Sequence, residues 1–180
     1  MVANAGDFAH WFGDINAARG ALALERARSQ LGHEAIHAFA AGSTCYLWNV
    51  MAGSVRIAVD SARTCLWLTQ IEYADDDACR AKAHAYAVAF GAAQEAQGLC
   101  YRVPSGPVVI TCSVNSVSDS STSIGSLPLA ASSPGALIDF AGGPNAAAVW
   151  IAPGLYQSSL FFHEDDRWGV SWCRLQRISD

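Results

Sequence analysis

Between Asp14 and Ala41 the apolar residues recur at helical spacing. At about 100° per residue, Leu24, Ala27, Leu31, Ala35, Ala38 and Phe39 gather on one arc, which Leu22 and Ile36 extend. Arg19, Arg26, Gln30, His33 and His37 occupy the opposite arc, the composition of a solvated face. Asp14 is a candidate N-cap behind the apolar cluster Phe8, Trp11, Phe12 and Ile15, and Gly42 stands where a helix stop belongs. The pattern predicts a long N-terminal helix.

After Gly42 the period shortens to two. Cys45, Tyr46, Leu47 and Trp48 form a short β-prone run, and Val55, Ile57 and Val59 alternate with Arg56, Ala58 and Asp60. Ser61-Ala62-Arg63 can turn the chain into Thr64–Tyr73, whose apolar residues occupy both faces, so this pair predicts a hairpin with an interior second strand. Asp75-Asp76-Asp77 opens a second helix reaching about Gln97, its carboxylates at the positive end of the dipole and Ala83, Tyr86, Phe90 and Ala93 forming a core stripe. Gly98 is a plausible C-cap. On either side of Pro104-Ser105-Gly106, Leu99, Tyr101 and Val103 and then Val108, Ile110, Cys112 and Val114 alternate, which predicts a second hairpin.

Asn115–Gly135 is rich in serine, contains Pro128 and Pro134, and is read as a long loop, not a domain boundary. Ala136–Phe140, Ala147–Ile151, Ser158–His163 and Trp168–Leu175 are further candidate strands, separated by turn signals. The expected architecture is a single α+β domain over residues 1–180. It has a long N-terminal helix and a second helix packed on one side of a mostly antiparallel sheet.

Composition narrows the function classes. A chain of 180 residues with 52% hydrophobic and 15% charged residues can bury one sizeable core. The net charge of −5 provides no electrostatic footprint for nucleic acid or an anionic membrane, and steers a basic protein partner instead. No window reaches the roughly 18 uninterrupted apolar residues of a membrane span. Met1–Asp7 lacks the basic and apolar regions of a signal peptide. The expectation is therefore a cytoplasmic protein in which Cys45, Cys65, Cys79, Cys100, Cys112 and Cys173 are mostly buried, reduced thiols. None of them pair at C-x-x-C spacing, which removes the local signature of a zinc ribbon or a thioredoxin-type site.

One motif carries chemistry. His33-Glu34-Ala35-Ile36-His37 is an H-E-x-x-H pattern, and on a helix it would set His33 and His37 on one face to ligate Zn2+ with Glu34 as general base. It resembles the helix of the zincin metallopeptidases, and the resemblance implies a zinc-dependent hydrolase. Three features oppose it. The 32 residues before the motif are too few and too helical for the sheet that zincins place there. Ser43 and Ala40 occupy the positions where the extended motif has its third histidine and its glycine. Arg19 and Arg26 share the histidines' face and would repel a cation.

A second pattern, Trp11-Phe12-Gly13 with Tyr73-Ala74-Asp75-Asp76-Asp77, is similar to the W-x-G and Y-x-x-x-[DE] marks of type VII secretion substrates. That family sets W-x-G in the bend between two helices, but only ten residues precede Trp11 and Tyr73 closes a strand. The simpler reading makes Trp11 a core residue and the aspartates a helix start. His84 is expected to be a surface or capped histidine. No G-x-S-x-G, phosphate-loop or G-x-G-x-x-G motif is present.

Two function classes follow. The favoured one is a non-catalytic, small acidic protein that binds a macromolecular partner, of the kind represented by cytosolic inhibitors such as immunity proteins that neutralise a toxin. Its contacts would lie on loops: Asn115–Gly135 and the polar hairpin tip Glu164, Asp165 and Asp166. It needs no cofactor. The alternative is the zinc hydrolase built on His33, Glu34 and His37.

Overall fold

The structure, a computed structural model, describes residues 2–4, 34–38, 44–48, 54–93, 97–104, 107–111, 136–139 and 146–180. Two antiparallel sheets and a single helix make up the described elements. Strands β1 (Val2–Asn4), β2 (Glu34–Ala38), β3 (Thr44–Trp48), β4 (Ser54–Val59) and β5 (Cys65–Ala74) precede helix α1 (Asp77–Ala93). After it come β6 (Cys100–Val103), β7 (Pro107–Thr111), β8 (Ala136–Asp139), β9 (Ala146–Trp150), β10 (Gly154–Glu164) and β11 (Trp168–Ser179). The smaller sheet has the order β2-β3-β1-β7-β9 and the larger β6-β10-β11-β5-β4-β8.

The two sheets share one core. Val2, Tyr46, Val108, Ile110, Ala147 and Val149 of the smaller sheet pack against Ile57, Leu66, Leu68, Tyr101, Tyr156, Cys173 and Leu175 of the larger. The Tyr46 hydroxyl lies 3.2 Å from the Cys173 sulfur across the interface, and the Tyr46 and Tyr101 ring centroids are 6.4 Å apart. Among the described residues this is a β-sandwich with one helix on its outer face. The alternate residues of β5 and β11, namely Cys65, Trp67, Trp168, Val170 and Trp172, turn away from the sandwich and bury against Cys79, Ala83 and Ala87 of α1. Small residues at four-residue intervals let the helix lie close to the tryptophans.

Three expectations need correction. The α+β layout with a long N-terminal helix is replaced by a mostly β architecture. Glu34–Ala38, the end of the expected helix, is strand β2, paired in register with β3 from Glu34 opposite Trp48 to Ala38 opposite Thr44. Residues 14–33 and 39–41 lie outside the described residues. A short run such as Glu-Ala-Ile-His-Ala satisfies a period of two as well as one of 3.6, and the β-prone Thr44–Trp48 offers it a ladder. Second, the layout has one described helix on the larger sheet, not two. That helix, α1, falls within the stretch opened by the three aspartates, and Asp76 caps it by accepting from the Cys79 amide at 2.7 Å.

Third, β6 and β7 are not a hairpin: β6 joins β10 in the larger sheet, and β7 joins β1 and β9 in the smaller. Tyr101, Val103, Val108 and Ile110 nevertheless reach the same core, because a chain crossing from one sheet to the other presents the same alternation as a hairpin.

The β4–β5 hairpin forms as its alternation predicts, with Val59 opposite Leu66. Its turn is held by Asp60, whose carboxylate accepts from the Thr64 amide (2.6 Å), the Cys65 amide (2.7 Å) and the Thr64 hydroxyl (2.9 Å). Arg63 adopts a left-handed conformation there, with φ of 58°.

Candidate binding surface

At one end of the larger sheet the β10–β11 turn meets the start of α1. Glu164 ends β10, and the Asp165 carboxylate accepts from the Arg167 amide at 2.7 Å and the Trp168 amide at 3.3 Å, closing the turn. Arg167 then spans to the helix start: its guanidinium donates to Asp75 at 3.2 Å and to Asp76 at 2.8 Å, and its carbonyl accepts from the Asp75 amide at 3.0 Å. Tyr73 crosses from β5, donating to Glu164 at 3.1 Å and to the Asp165 carbonyl at 2.6 Å. It reaches them over Gly169, where an added Cβ would meet the Tyr73 ring at 2.5 Å.

The electrostatics follow from these contacts. The amide and side-chain hydrogen bonds from Cys79, with Arg167 beside them, hold the Asp76 carboxyl below its usual range. The hydrogen bond to Asp75 and the neighbouring acids push the Arg167 guanidinium further towards its charged form. Desolvation, the hydrogen bond to Glu164 and the nearby carboxylates raise the Tyr73 phenol. Six carboxylates (Asp75, Asp76, Asp77, Glu164, Asp165 and Asp166) therefore share one end of the molecule with Arg80, Lys82 and Arg167. An open groove of about 360 Å³ lies here, lined by Cys79, Lys82, Asp165, Asp166, Arg167 and Trp168.

Next to this end runs a band of aromatic rings. Tyr86 stacks on His163 with centroids 4.2 Å apart, Phe161 stacks on Trp172 at 5.2 Å, and Phe90 meets Phe161 edge-on at 5.7 Å. Phe90 is 38% exposed, and Phe162, on the other face of β10, is 62% exposed. Beside them β10 loses its outer neighbour. It pairs with β6 only from Gly154 to Gln157, after which the Ser158 amide donates to the Leu99 carbonyl at 2.9 Å and the Gln97 amide to the Ser159 hydroxyl at 2.9 Å. Among the described residues, no strand pairs with Leu160–Glu164 on that side.

The residues singled out in the sequence fall in different places. Glu164, Asp165 and Asp166 are together at the exposed turn. His33 and the Asn115–Gly135 loop lie outside the described residues, as does Trp11-Phe12-Gly13. Glu34 and His37 sit on β2, opposite Trp48 and Cys45. Residues three apart on a strand are separated by about 10 Å of extended backbone, so the helical spacing behind the zinc reading does not hold over Glu34–Ala38. Among the described residues, no three or more histidine, cysteine or acidic side chains converge as metal ligands would.

His84 is not a surface residue. It is 7% exposed between α1 and the sheet, its pKa pushed down to about 4 by burial and by Arg56 and Arg80, and its Nδ1 finds no hydrogen-bond partner among the described residues. Cys65 is pushed up to about 12 by burial, and burial together with Asp76 raises Cys79, so both stay thiols and are poor nucleophiles.

The exposed aromatic edge was missed in the sequence. Its signal was Leu160-Phe161-Phe162 in a strand of alternating faces: consecutive aromatics place an apolar side chain on each side of the strand just before the acidic turn begins.

Comparison of the chain with models of known protein families, with curated proteins and with solved structures finds no match. No helix among the described residues is long and apolar enough to cross a membrane.

Proposed function

We propose that this protein is a non-catalytic binding protein that docks a basic protein partner at the β10–β11 end, in the manner of a cytoplasmic inhibitor such as an immunity protein neutralising a toxin. The observation that carries this reading is the exposed Phe162 beside the turn Glu164–Asp166, an apolar anchor at an end where carboxylates outnumber cations. The chemistry of the groove agrees with it: the thiol of Cys79 is held protonated, and Arg167 is committed to Asp75 and Asp76.

The test is capture of a host protein by the immobilised chain, compared with an Asp165→Lys/Asp166→Lys variant. A specific partner retained by the native chain at micromolar concentration, lost on charge reversal and released as salt approaches 1 M, where charges are screened beyond about 3 Å, is the expected result. Equal retention by both chains at both salt concentrations overturns the reading.

A further inference from the structure

We infer that the partner docks as an extended peptide segment, apolar in its centre and basic at one end, which adds to the larger sheet as a strand along Leu160–Glu164. The inference rests on the binding reading above and specifies its mode.

Backbone direction alternates along a strand. The Ser158 amide points outward, since it donates to Leu99, and β10 keeps regular register with β11 from Tyr156 to Glu164. Leu160, Phe162 and Glu164 therefore also direct their N–H and C=O groups outward, while Phe161 and His163 direct theirs to Trp172 and Val170 of β11. Among the described residues these outward groups have no ladder, over a run of about 17 Å. Such an edge binds an extended chain through main-chain hydrogen bonds, and the side chains beside it select the sequence.

Here both faces select apolar residues: Phe162 on the sandwich side, Phe161 and Phe90 on the helix side. Past Glu164 the edge runs into Asp165 and Asp166, which select lysine or arginine. A second copy of this chain is the poorer occupant. Antiparallel self-pairing centred on Phe162 would set Glu164 opposite Leu160 and bring each acidic turn towards Gln97–Leu99, a segment without a cation, between chains that each carry a charge of −5.

The probe is a fluorescein-labelled synthetic peptide with a Val-Phe-Val centre and a Lys-Arg end, titrated into the full chain and followed by anisotropy and amide hydrogen exchange. Strand addition slows exchange of the Leu160, Phe162 and Glu164 amides by about tenfold or more. Methylating alternate peptide nitrogens, which leaves the protein unchanged, weakens binding by about tenfold or more, because those donors complete the ladder. Phe162→Pro removes one outward donor at a position where the β10–β11 ladder does not use it, and abolishes binding, whereas Phe162→Ala only weakens it.

If the methylated and unmethylated peptides bind equally and Asp165→Lys/Asp166→Lys weakens both, strand addition is overturned while docking at the acidic turn stands. If the peptide binds neither the native chain nor its variants at millimolar concentration, the strand proposal fails, and host capture then decides the binding reading separately. Sedimentation showing a peptide-free dimer with the Phe162 amide already protected overturns the heterologous partner in favour of a second copy.

Discussion

The larger sheet has two covered faces, and they are closed by different means. The face towards the smaller sheet is lined by aliphatic side chains and tyrosines, with Leu66, Cys173, Leu175 and Tyr156 wholly buried. Two of its tyrosine hydroxyls have close partners: Tyr156 donates to the Ala152 carbonyl at 2.7 Å, and Tyr46 meets Cys173. The face towards α1 is filled by Trp67, Trp168 and Trp172, with His84, Thr69 and Arg174 buried among them. There the indole nitrogens of Trp67 and Trp172, Nε of Arg56 and Nδ1 of His84 have no hydrogen-bond partner among the described residues.

The contrast follows from geometry. A facing sheet presents side chains over its whole area, whereas one helix covers a narrow strip, so wide rings must span the gap. A buried polar group left without any partner costs about 1–3 kcal/mol. The helix layer is accordingly a seam closed mainly by the rings of Trp67, Trp168 and Trp172.

The largest effect should come from the ring at the centre of that seam. Trp172 touches Phe90, Tyr86 and Phe161, and Trp172→Ala should lower unfolding stability by about 3–5 kcal/mol in a denaturant titration. A loss below 1 kcal/mol would mean that the helix layer hardly contributes and would break the contrast.

Acid sharpens it next. His84 has its pKa lowered in the folded chain from 6.5 to about 4, by burial and by Arg56 of β4 and Arg80 of α1. As pH falls, the unfolded chain takes up this proton first. The contribution is complete above pH 6.5, declines as pH drops towards 4, and changes no further below that. It amounts to on the order of 2–3 kcal/mol. His84→Gln should flatten the stability profile over that window relative to the native chain, and parallel profiles would refute it.

Of intermediate size is the turn between β4 and β5, which feeds the face towards the smaller sheet. Asp60→Ala removes the acceptor of two amides and one hydroxyl and should cost about 1–2 kcal/mol in the same titration. The smallest effect is at the exposed helix cap, where Asp76→Ala should lower the Tm by a few degrees through loss of the Cys79 amide contact, and should release Arg167 from one of its two carboxylates. A cap variant more damaging than Trp172→Ala would show that the seam is held at its rim and not by its rings.

Much of this molecule was legible in local pattern. The alternation in Val55–Val59 and in Trp168–Leu175, the double-faced apolar run of β5 and the aspartates opening α1 each report which side of an element is buried, because burial acts on every residue where it stands. The acidic turn was legible for the same reason. What alternation cannot carry is the identity of the hydrogen-bonded neighbour. Tyr101 and Val103 satisfy the same core whether β6 pairs with β7 or, as it does, with β10, a strand more than fifty positions away.

The same limit applies at Glu34–Ala38, where five residues fit either period and pairing with Thr44–Trp48 decides for a strand. It applies again at β10, where sequence marks Phe161 and Phe162 as apolar but not that β6 stops at Gln157 and leaves their edge open among the described residues. Side-chain burial is a property of a position and is written in the sequence. Strand order and open edges are properties of pairs distant along the chain, and only the folded arrangement of the two sheets decided them.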